Sequence, residues 1–345
     1  MAYTTINKSS DHFNTKLYAG NSGTQALTGI GHQPDLVWIK NRNDSNNQSN
    51  VLYDAVRGVT KYISSNSTAA EGTEAAGVTA FGTDGFTVGN TVTVNTGFNY
   101  VAWNWKANGA GSANTDGSIN TTSTSVNTTA GFSISKWTST GSNATIGHGL
   151  GVAPKVILTK VLGTTQNWFV FHQSLFDTGS DRILNLNTNG AYASGGTIFQ
   201  STAPTSSVFS VGTSFTAHDY IAYCFAEKTG FSKFGSYTGT DDADGPFIFC
   251  GFKPAFFLVK MTTSGSESWS LYDNKRLGYN PAFNRLYPNL SNVEATETKL
   301  DFVSNGIKIR SAGDGHLNQT AKNYIYMAFA EAPLVGSNNI PATAR

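Results

Sequence analysis

A ten-residue block occurs three times in this chain. Gly31-His-Gln-Pro34-Asp-Leu-Val-Trp38-Ile-Lys40 returns as Gly151-Val-Ala-Pro154-Lys-Val-Ile-Leu158-Thr-Lys160 and as Gly251-Phe-Lys-Pro254-Ala-Phe-Phe-Leu258-Val-Lys260, with spacings of 120 and then 100 residues. A second block closes each copy: Asn99-Tyr100-Val-Ala-Trp103-Asn-Trp105, Asp219-Tyr220-Ile-Ala-Tyr223-Cys-Phe225 and Asn323-Tyr324-Ile-Tyr-Met327-Ala-Phe329. Phe13, Phe132 and Phe231 open the copies, each followed five or six residues later by Tyr18, Trp137 or Tyr237. A period this long exceeds a solenoid unit or a propeller blade. Each copy is large enough to own a core, so the repeat predicts three beads rather than one continuous stack.

Between these blocks lie short strand-like runs: Val51-Leu-Tyr53, Phe169-Val-Phe171 and Ser270-Leu-Tyr272, then Lys61-Tyr-Ile, Arg182-Ile-Leu and Arg285-Leu-Tyr. The penultimate strands are Gly85-Phe-Thr-Val88, Val208-Phe-Ser-Val211 and Gly306-Ile-Lys-Ile309. Asp84-Gly85 and Asn305-Gly306 signal a turn before two of them. Six or seven short strands per copy, with turn signals every 8 to 12 residues, read as an antiparallel β-sandwich. The Gly-x-x-Pro strand is apolar on both faces, so it reads as central and covered on both sides, with proline only at its start.

Composition agrees. Only 13% of the 345 residues are charged, against about 25% in an ordinary domain. Helix surfaces need such residues; Thr, Val, Tyr, Phe and Gly suit strands and turns. The net charge of +1 and a pI near 7.7 lack the basic footprint of a nucleic-acid binder. The fold expected is all-β: three tandem antiparallel β-sandwich modules, jelly-roll or lectin-like, related by the internal repeat. The boundaries are 1–107 for the first module, 108–130 for a Gly/Ser/Thr/Asn-rich linker, 131–229 and 230–334 for the second and third, and 335–345 for a polar tail. The stretch 108–130 cannot build a core and should run as a linker or as extended chain laid on a neighbour. Modules two and three abut at Glu227-Lys-Thr-Gly230 and should form a rigid pair, with module one placed more separately.

Few residues nominate themselves for chemistry. Phosphate-loop, Cys-x-x-Cys and His-Glu-x-x-His patterns do not occur. His12, His32, His148, His172, His218 and His316 share no repeat position and read as surface or half-buried residues rather than ligands. Gly147-His-Gly-Leu-Gly151 enters a strand and reads as a turn. Thr240-Asp241-Asp242-Ala243-Asp244-Gly245 alternates oxygens as a calcium loop does, yet Gly251 stands where the bidentate glutamate belongs; Asp242 and Asp244 remain a weak metal candidate beside the simpler reading of an acidic turn. Asp54-Ala-Val-Arg57 and Asp273-Asn-Lys-Arg276 share a repeat position and read as turn-bracing ion pairs. The six tryptophans occupy module positions. Trp38 matches Leu158 and Leu258; Trp103 matches Tyr223 and Met327; Trp105 matches Phe225 and Phe329; Trp137 matches Tyr18 and Tyr237. Trp168 and Trp269 match Asn50. Core filling is favoured over ligand stacking, and no catalytic residue or cofactor is expected. Cys224 and Cys250 sit in apolar runs and read as buried free thiols. The N-terminus has no apolar segment of a secretory signal, and no apolar run is long enough to span a bilayer, so synthesis in a cytoplasm and no membrane insertion are expected.

Several strings resemble a family of virion structural proteins of tailed phages infecting marine bacteria, cyanobacteria included. They are the opening Met1-Ala-Tyr-Thr-Thr-Ile-Asn-Lys-Ser-Ser-Asp11, Pro34-Asp-Leu-Val-Trp-Ile-Lys40, Tyr53-Asp-Ala-Val-Arg-Gly58, Asn108-Gly-Ala-Gly-Ser-Ala-Asn-Thr-Asp-Gly-Ser-Ile-Asn120, Gly147-His-Gly-Leu-Gly-Val-Ala-Pro-Lys155, Gly235-Ser-Tyr-Thr-Gly239 and Tyr326-Met-Ala-Phe-Ala-Glu-Ala-Pro333. The resemblance implies a non-enzymatic tail-fibre or surface-appendage subunit located in the virion. It would be a homo-oligomer with a trimer favoured, bound to other virion proteins and attaching to a host-surface glycan or envelope protein through many weak contacts. The alternative is a capsid decoration or tail-adaptor protein that binds only virion proteins; a surface-polysaccharide depolymerase is a third, less favoured reading.

Overall fold

The computed structural model describes residues 4–176, 181–263, 265–277, 280 and 284–335. Among them strands dominate, with one four-residue helical turn, α1 (Gln173–Phe176), and one 3₁₀ turn. The all-β reading holds: β-branched and aromatic runs separated by Gly, Asn, Asp and Ser pair into antiparallel sheets.

The first lobe contains β1 (Phe13–Ala19), β2 (Gln25–Thr28), β3 (Leu36–Asn41), β4 (Val51–Asp54), β5 (Lys61–Ser64), β6 (Gly72–Thr73), β7 (Val78–Gly82), β8 (Gly85–Val88) and β9 (Asn99–Trp105). The second contains β10 (Ser123–Asn127), β11 (Phe132–Thr138), β12 (Ala144–Gly147), β13 (Val156–Val161), β14 (Phe169–His172), β15 (Arg182–Asn185), β16 (Ala193–Ser194), β17 (Val208–Val211) and β18 (Asp219–Phe225). The third contains β19 (Ser232–Thr238), β20 (Phe247–Phe249), β21 (Phe252–Met261), β22 (Ser270–Asp273), β23 (Leu300–Val303), β24 (Gly306–Ile309) and β25 (Asn323–Pro333).

Each lobe has a large sheet and a small one. The large sheets run β1-β9-β3-β4-β5-β6, β10-β11-β18-β13-β14-β15-β16 and β19-β25-β21-β22. In all three the opening strand pairs with the closing strand, which pairs with the Gly-x-x-Pro strand. The small sheets run β2-β8-β7, β12-β17 and β20-β24-β23. Pairing fixes equivalent positions across the lobes: Tyr18 faces Tyr100, Trp137 faces Tyr220, and Tyr237 faces Tyr324. By the same register Ser232, not Phe231, stands where Phe13 and Phe132 stand, since Ser232 faces Phe329 as they face Trp105 and Phe225. Phe231 lies one residue earlier and is still buried, against Phe329.

The lobes are not separate beads. One apolar cluster runs through all three, from Phe13, Trp38 and Trp103 through Phe132, Leu158 and Tyr223 to Phe256, Leu258 and Phe329. At its centre three equivalent closing-strand rings form a triangle, with centroids 6.3 Å apart for Trp105 and Phe225, 5.7 Å for Trp105 and Phe329, and 5.8 Å for Phe225 and Phe329. Alternation along β3 divides its two faces. Val37 and Ile39 join the cluster between the lobe's own two sheets, whereas Leu36 and Trp38 join the central one. A solitary sandwich would wet the outer face of its large sheet; here that face is buried against the other two lobes, so the expected separate placement of module one is overturned.

Of the two readings of the stretch 108–130, a linker or extended chain laid on a neighbour, the structure has the second. Ser123–Asn127 adds to the second large sheet as β10, paired with β11. Its hydroxyls are buried yet bonded: Thr124 Oγ1 lies 2.8 Å from Thr121 Oγ1 and 3.1 Å from Ser135 Oγ, and Ser125 Oγ accepts the Asn108 N–H. A segment of scarce apolar content lies on its neighbour as extended chain because its short hydroxyl side chains satisfy one another and nearby backbone.

Candidate functional site

The three lobes meet at three joints built from equivalent positions. One backbone bond recurs at each: Glu71 N–H donates to Leu162 O, Tyr192 N–H to Thr262 O, and Glu294 N–H to Arg42 O, all at 2.9 Å. The lobes thus contact one another in a closed cycle. Beside that bond an indole or amide side chain reaches the neighbouring lobe's backbone: Trp168 Nε1 donates to Ser64 O, Trp269 Nε1 to Asn185 O, and Asn50 Nδ2 to Leu290 O. This explains why these three share a repeat position. All six tryptophans are buried.

Two joints carry buried charge, and at the first of them an ion pair, Arg42 to Glu294, crosses between lobes. Where lobe one meets lobe three, Asp273 accepts from Trp103 Nε1 at 3.1 Å and pairs with Arg276 at 2.7 Å. Arg276 reaches Glu294 at 3.1 Å, and Arg42 holds Glu294 with two bonds of 2.9 Å. Glu294 is held below the ordinary glutamate range: burial pushes it up, but the Arg42 and Arg276 guanidinium groups outweigh that. Where lobe two meets lobe one, Asp54 accepts from Tyr223 OH at 2.7 Å and pairs with Arg57 at 2.5 Å, and Arg57 reaches Glu71 at 3.3 Å. The two Asp-x-x-Arg pairs do brace turns, with the Arg57 and Arg276 backbone N–H groups donating to Asp54 and Asp273, but they are buried rather than exposed. All four side chains are at most 1% exposed, and breaking either pair would strand a buried charge.

The third joint, between lobes two and three, carries different residues at the same positions. His172 replaces the aspartate, Leu175 the arginine and Tyr192 the glutamate. His172 Nε2 lies 3.2 Å from Tyr326 O. Among the described residues no ion pair links the Tyr192 region to lobe three, and a cleft of about 350 Å³ opens there. Its walls include Ser174, Leu175, Arg182, Tyr192, Thr238 and Asn323. The Arg182 guanidinium sits 4.1 Å over the Tyr192 ring, which presents a cation against an aromatic face. Thr238 Oγ1 donates to Asn323 Oδ1 at 3.0 Å, leaving the Asn323 amide nitrogen as a donor at the rim. One cation, an aromatic face and hydroxyl and amide groups in one cleft suit a hydroxyl-rich or acidic ligand.

The residues singled out from sequence fall elsewhere. Asp244 sits on an exposed turn 2.8 Å from Lys308 Nζ, and Asp242 Oδ1 accepts the Asp244 N–H. Lys308 holds the Asp244 carboxyl below its ordinary range. Among the described residues no group of three or more His, Cys, Asp or Glu is placed to hold a metal. His32, His148 and His172 are buried rather than surface groups, and burial pushes His32 down to about 4. Cys224 and Cys250 are buried free thiols, as expected. The lysine that ends each repeat block is also buried. Lys40 Nζ donates to Gln48 O and Ser291 O, Lys160 Nζ to Thr68 O and Gln166 O, and Lys260 Nζ to Met261 O. Desolvation lowers each to about 8.

The architecture defines a class: an all-β chain whose three two-sheet lobes close on a shared aromatic core, with one joint left open. Residues 8–333 match the model of a family described as a domain of unknown function, DUF7483. The chain belongs to that family, and the match spans all three lobes together with the stretch between the first two. Among curated proteins none matches.

Proposed function

We propose that this chain is a non-enzymatic structural protein of a tailed-phage virion, a tail-fibre or surface-appendage subunit that attaches to the host surface by many weak contacts. The observation that carries the reading is the open joint. The other two equivalent joints carry Asp–Arg–Glu groups with buried aspartate and arginine, while this one spends the same positions on a cleft suited to a sugar or acidic sugar. The resemblance of the sequence to phage structural proteins supports the location, and a charge-poor chain with three lobes sharing one core suits a particle exposed to changing salt. Assembly is as a symmetric homo-oligomer, with a trimer favoured, so that repeated clefts add avidity of about 10² to 10⁴ over one. Because the three joints are used up within one chain, assembly employs the outer surfaces.

The test has two parts. Imaging of the intact particle should locate the chain on tail projections; a capsid lattice position would sink the fibre reading. Purified protein should bind host cells, and Arg182→Ala with Tyr192→Ala should remove that binding without altering the fold. Unchanged binding would remove the cleft from the account. The alternative, an adaptor or capsid decoration that binds only virion proteins, is favoured by one observation, a bare sheet edge in lobe three.

A further inference from the structure

The small sheets end on equivalent edge strands, β2, β12 and β20, and a bare edge is a template for another chain. Two are guarded. In lobe one Lys16 Nζ donates to the outward carbonyl of Thr28 at 2.7 Å. In lobe two the equivalent residue, Ser135, donates to Gly147 O at 3.1 Å. There the chain's own segment 116–119 also lies along β12: Ile119 N–H donates to Thr145 O, Thr145 N–H to Ser118 Oγ, and Ser118 N–H to Thr145 Oγ1. Ile119 bridges Ile146 in parallel and packs on the lobe's core.

Among the described residues lobe three has neither guard. Gly235 stands at the position of Lys16 and Ser135, facing Tyr326 as they face Ala102 and Ala222. The direct passage from lobe two to lobe three through residues 227–230 leaves no segment between these lobes like 116–119, and among the described residues none lies along this edge. Ile309 N–H donates to Pro246 O and Cys250 N–H to Asn305 O, so in the alternating ladder the backbone groups of Phe247 and Phe249 point away from β24. The side chains of Phe247 and Phe249 are 47% and 56% exposed, while Ile248 between them is buried. Their counterparts in lobe one are Ala26 and Thr28.

We infer that β20 is a strand-addition site for an extended segment of a separate polypeptide, with the chemistry of the segment that covers β12: a Ser/Gly/Asn-rich strand carrying one β-branched apolar residue. The incoming backbone pairs with Phe247, its apolar residue lies beside Ile248 over the sandwich core, and the two phenylalanine rings cover its flank. A second copy is a poorer fit, because two short edges meeting through two rings fall well below the ~1,000 Å² of a stable interface.

The probe is a fluorophore-labelled peptide of residues 114–121, Asn-Thr-Asp-Gly-Ser-Ile-Asn-Thr, titrated by anisotropy against the full chain. Binding should appear with Kd below about 1 mM. It should weaken at least about tenfold for Phe247→Asp with Phe249→Asp, which alter only exposed side chains, and equally for a peptide carrying Ile119→Pro, which loses the ladder donor. A matched melting temperature for the double variant shows that it is folded. Absence of binding to the wild-type chain, equal binding by the double variant, or equal binding by the proline peptide would each overturn the inference. So would a concentration-dependent dimer abolished by the same two substitutions, which would assign the edge to a second copy.

Discussion

The joint between lobes one and three and the joint between lobes two and three use the same sequence positions for opposite ends. In the first, Asp273, Arg276, Glu294 and Arg42 fill the space with charge that must stay paired. In the second, His172, Leu175 and Tyr192 stand at these positions, no ion pair joins Tyr192 to lobe three among the described residues, and a cleft remains. A charged network sealed from water is rigid and intolerant of loss, whereas a joint held by a backbone bond and apolar packing leaves room for a ligand. Stability and recognition are thus divided between equivalent sites of one ring.

The comparison can be broken most severely at the ring's centre. Phe329 touches Phe13, Trp105, Phe225 and Phe256. Phe329→Ala should cost about 3–5 kcal/mol in denaturant unfolding, and the loss should appear in all three lobes, not in the third alone. Next comes Arg276→Ala, which leaves Asp273 buried without its cation and should cost a similar ~3–5 kcal/mol. By contrast Tyr192→Ala at the open joint removes a half-exposed ring and one cation–π contact, and should cost about 1 kcal/mol or less. Equal costs at the two joints would erase the distinction drawn between them.

A smaller effect concerns pH. Lys40, Lys160 and Lys260 titrate near 8 when folded, below the ordinary 10.5. The unfolded chain therefore holds more protons between those values, and the penalty for burying the charged form is full below about pH 8 and relieved as pH rises towards 10.5. Carbonyl contacts oppose the desolvation, so each lysine should contribute on the order of 1 kcal/mol. The melting temperature should climb from pH 8 to about 10, then fall as buried tyrosines such as Tyr324, raised to about 12, lose ground to their unfolded forms. Replacing the three lysines by methionine should flatten the climb. The smallest effect is expected at the acidic turn: Asp242→Asn with Asp244→Asn should leave the melting temperature the same with and without calcium.

Much of the strand order was legible, because each closing block and each Gly-x-x-Pro block repeats as a string. What joins the lobes was written less openly. Leu36–Asn41 is buried at every position, and its apolar residues on both faces were read as a strand covered on both sides, which is how the ring uses it. The second cover was not assignable to the other lobes, since a repeat shows equivalent positions and not which copies touch. The Asp54, His172 and Asp273 series could be aligned by the preceding Tyr53, Phe171 and Tyr272. Its pairing with Glu71 and Glu294 through Arg57 and Arg276 could not be read, because the intervening stretches differ in length, and the partners Tyr223, Trp103 and Arg42 come from neighbouring lobes. For the stretch 108–130 low apolar content left two readings, linker or extended chain on a neighbour, and the hydroxyl pairing that decides for the second depends on residues distant in sequence, such as Ser135.

The shared core is tested most directly by native-state hydrogen exchange in rising denaturant, followed at the equivalent closing-strand residues Trp103, Tyr223 and Met327. One ring requires that all three amides open with the same free energy and the same denaturant dependence, as a single cooperative unit. Opening of the Trp103 strand at distinctly lower denaturant than the other two would mean that lobe one is a separate bead, and would contradict the closed ring on which the reading of the open joint depends.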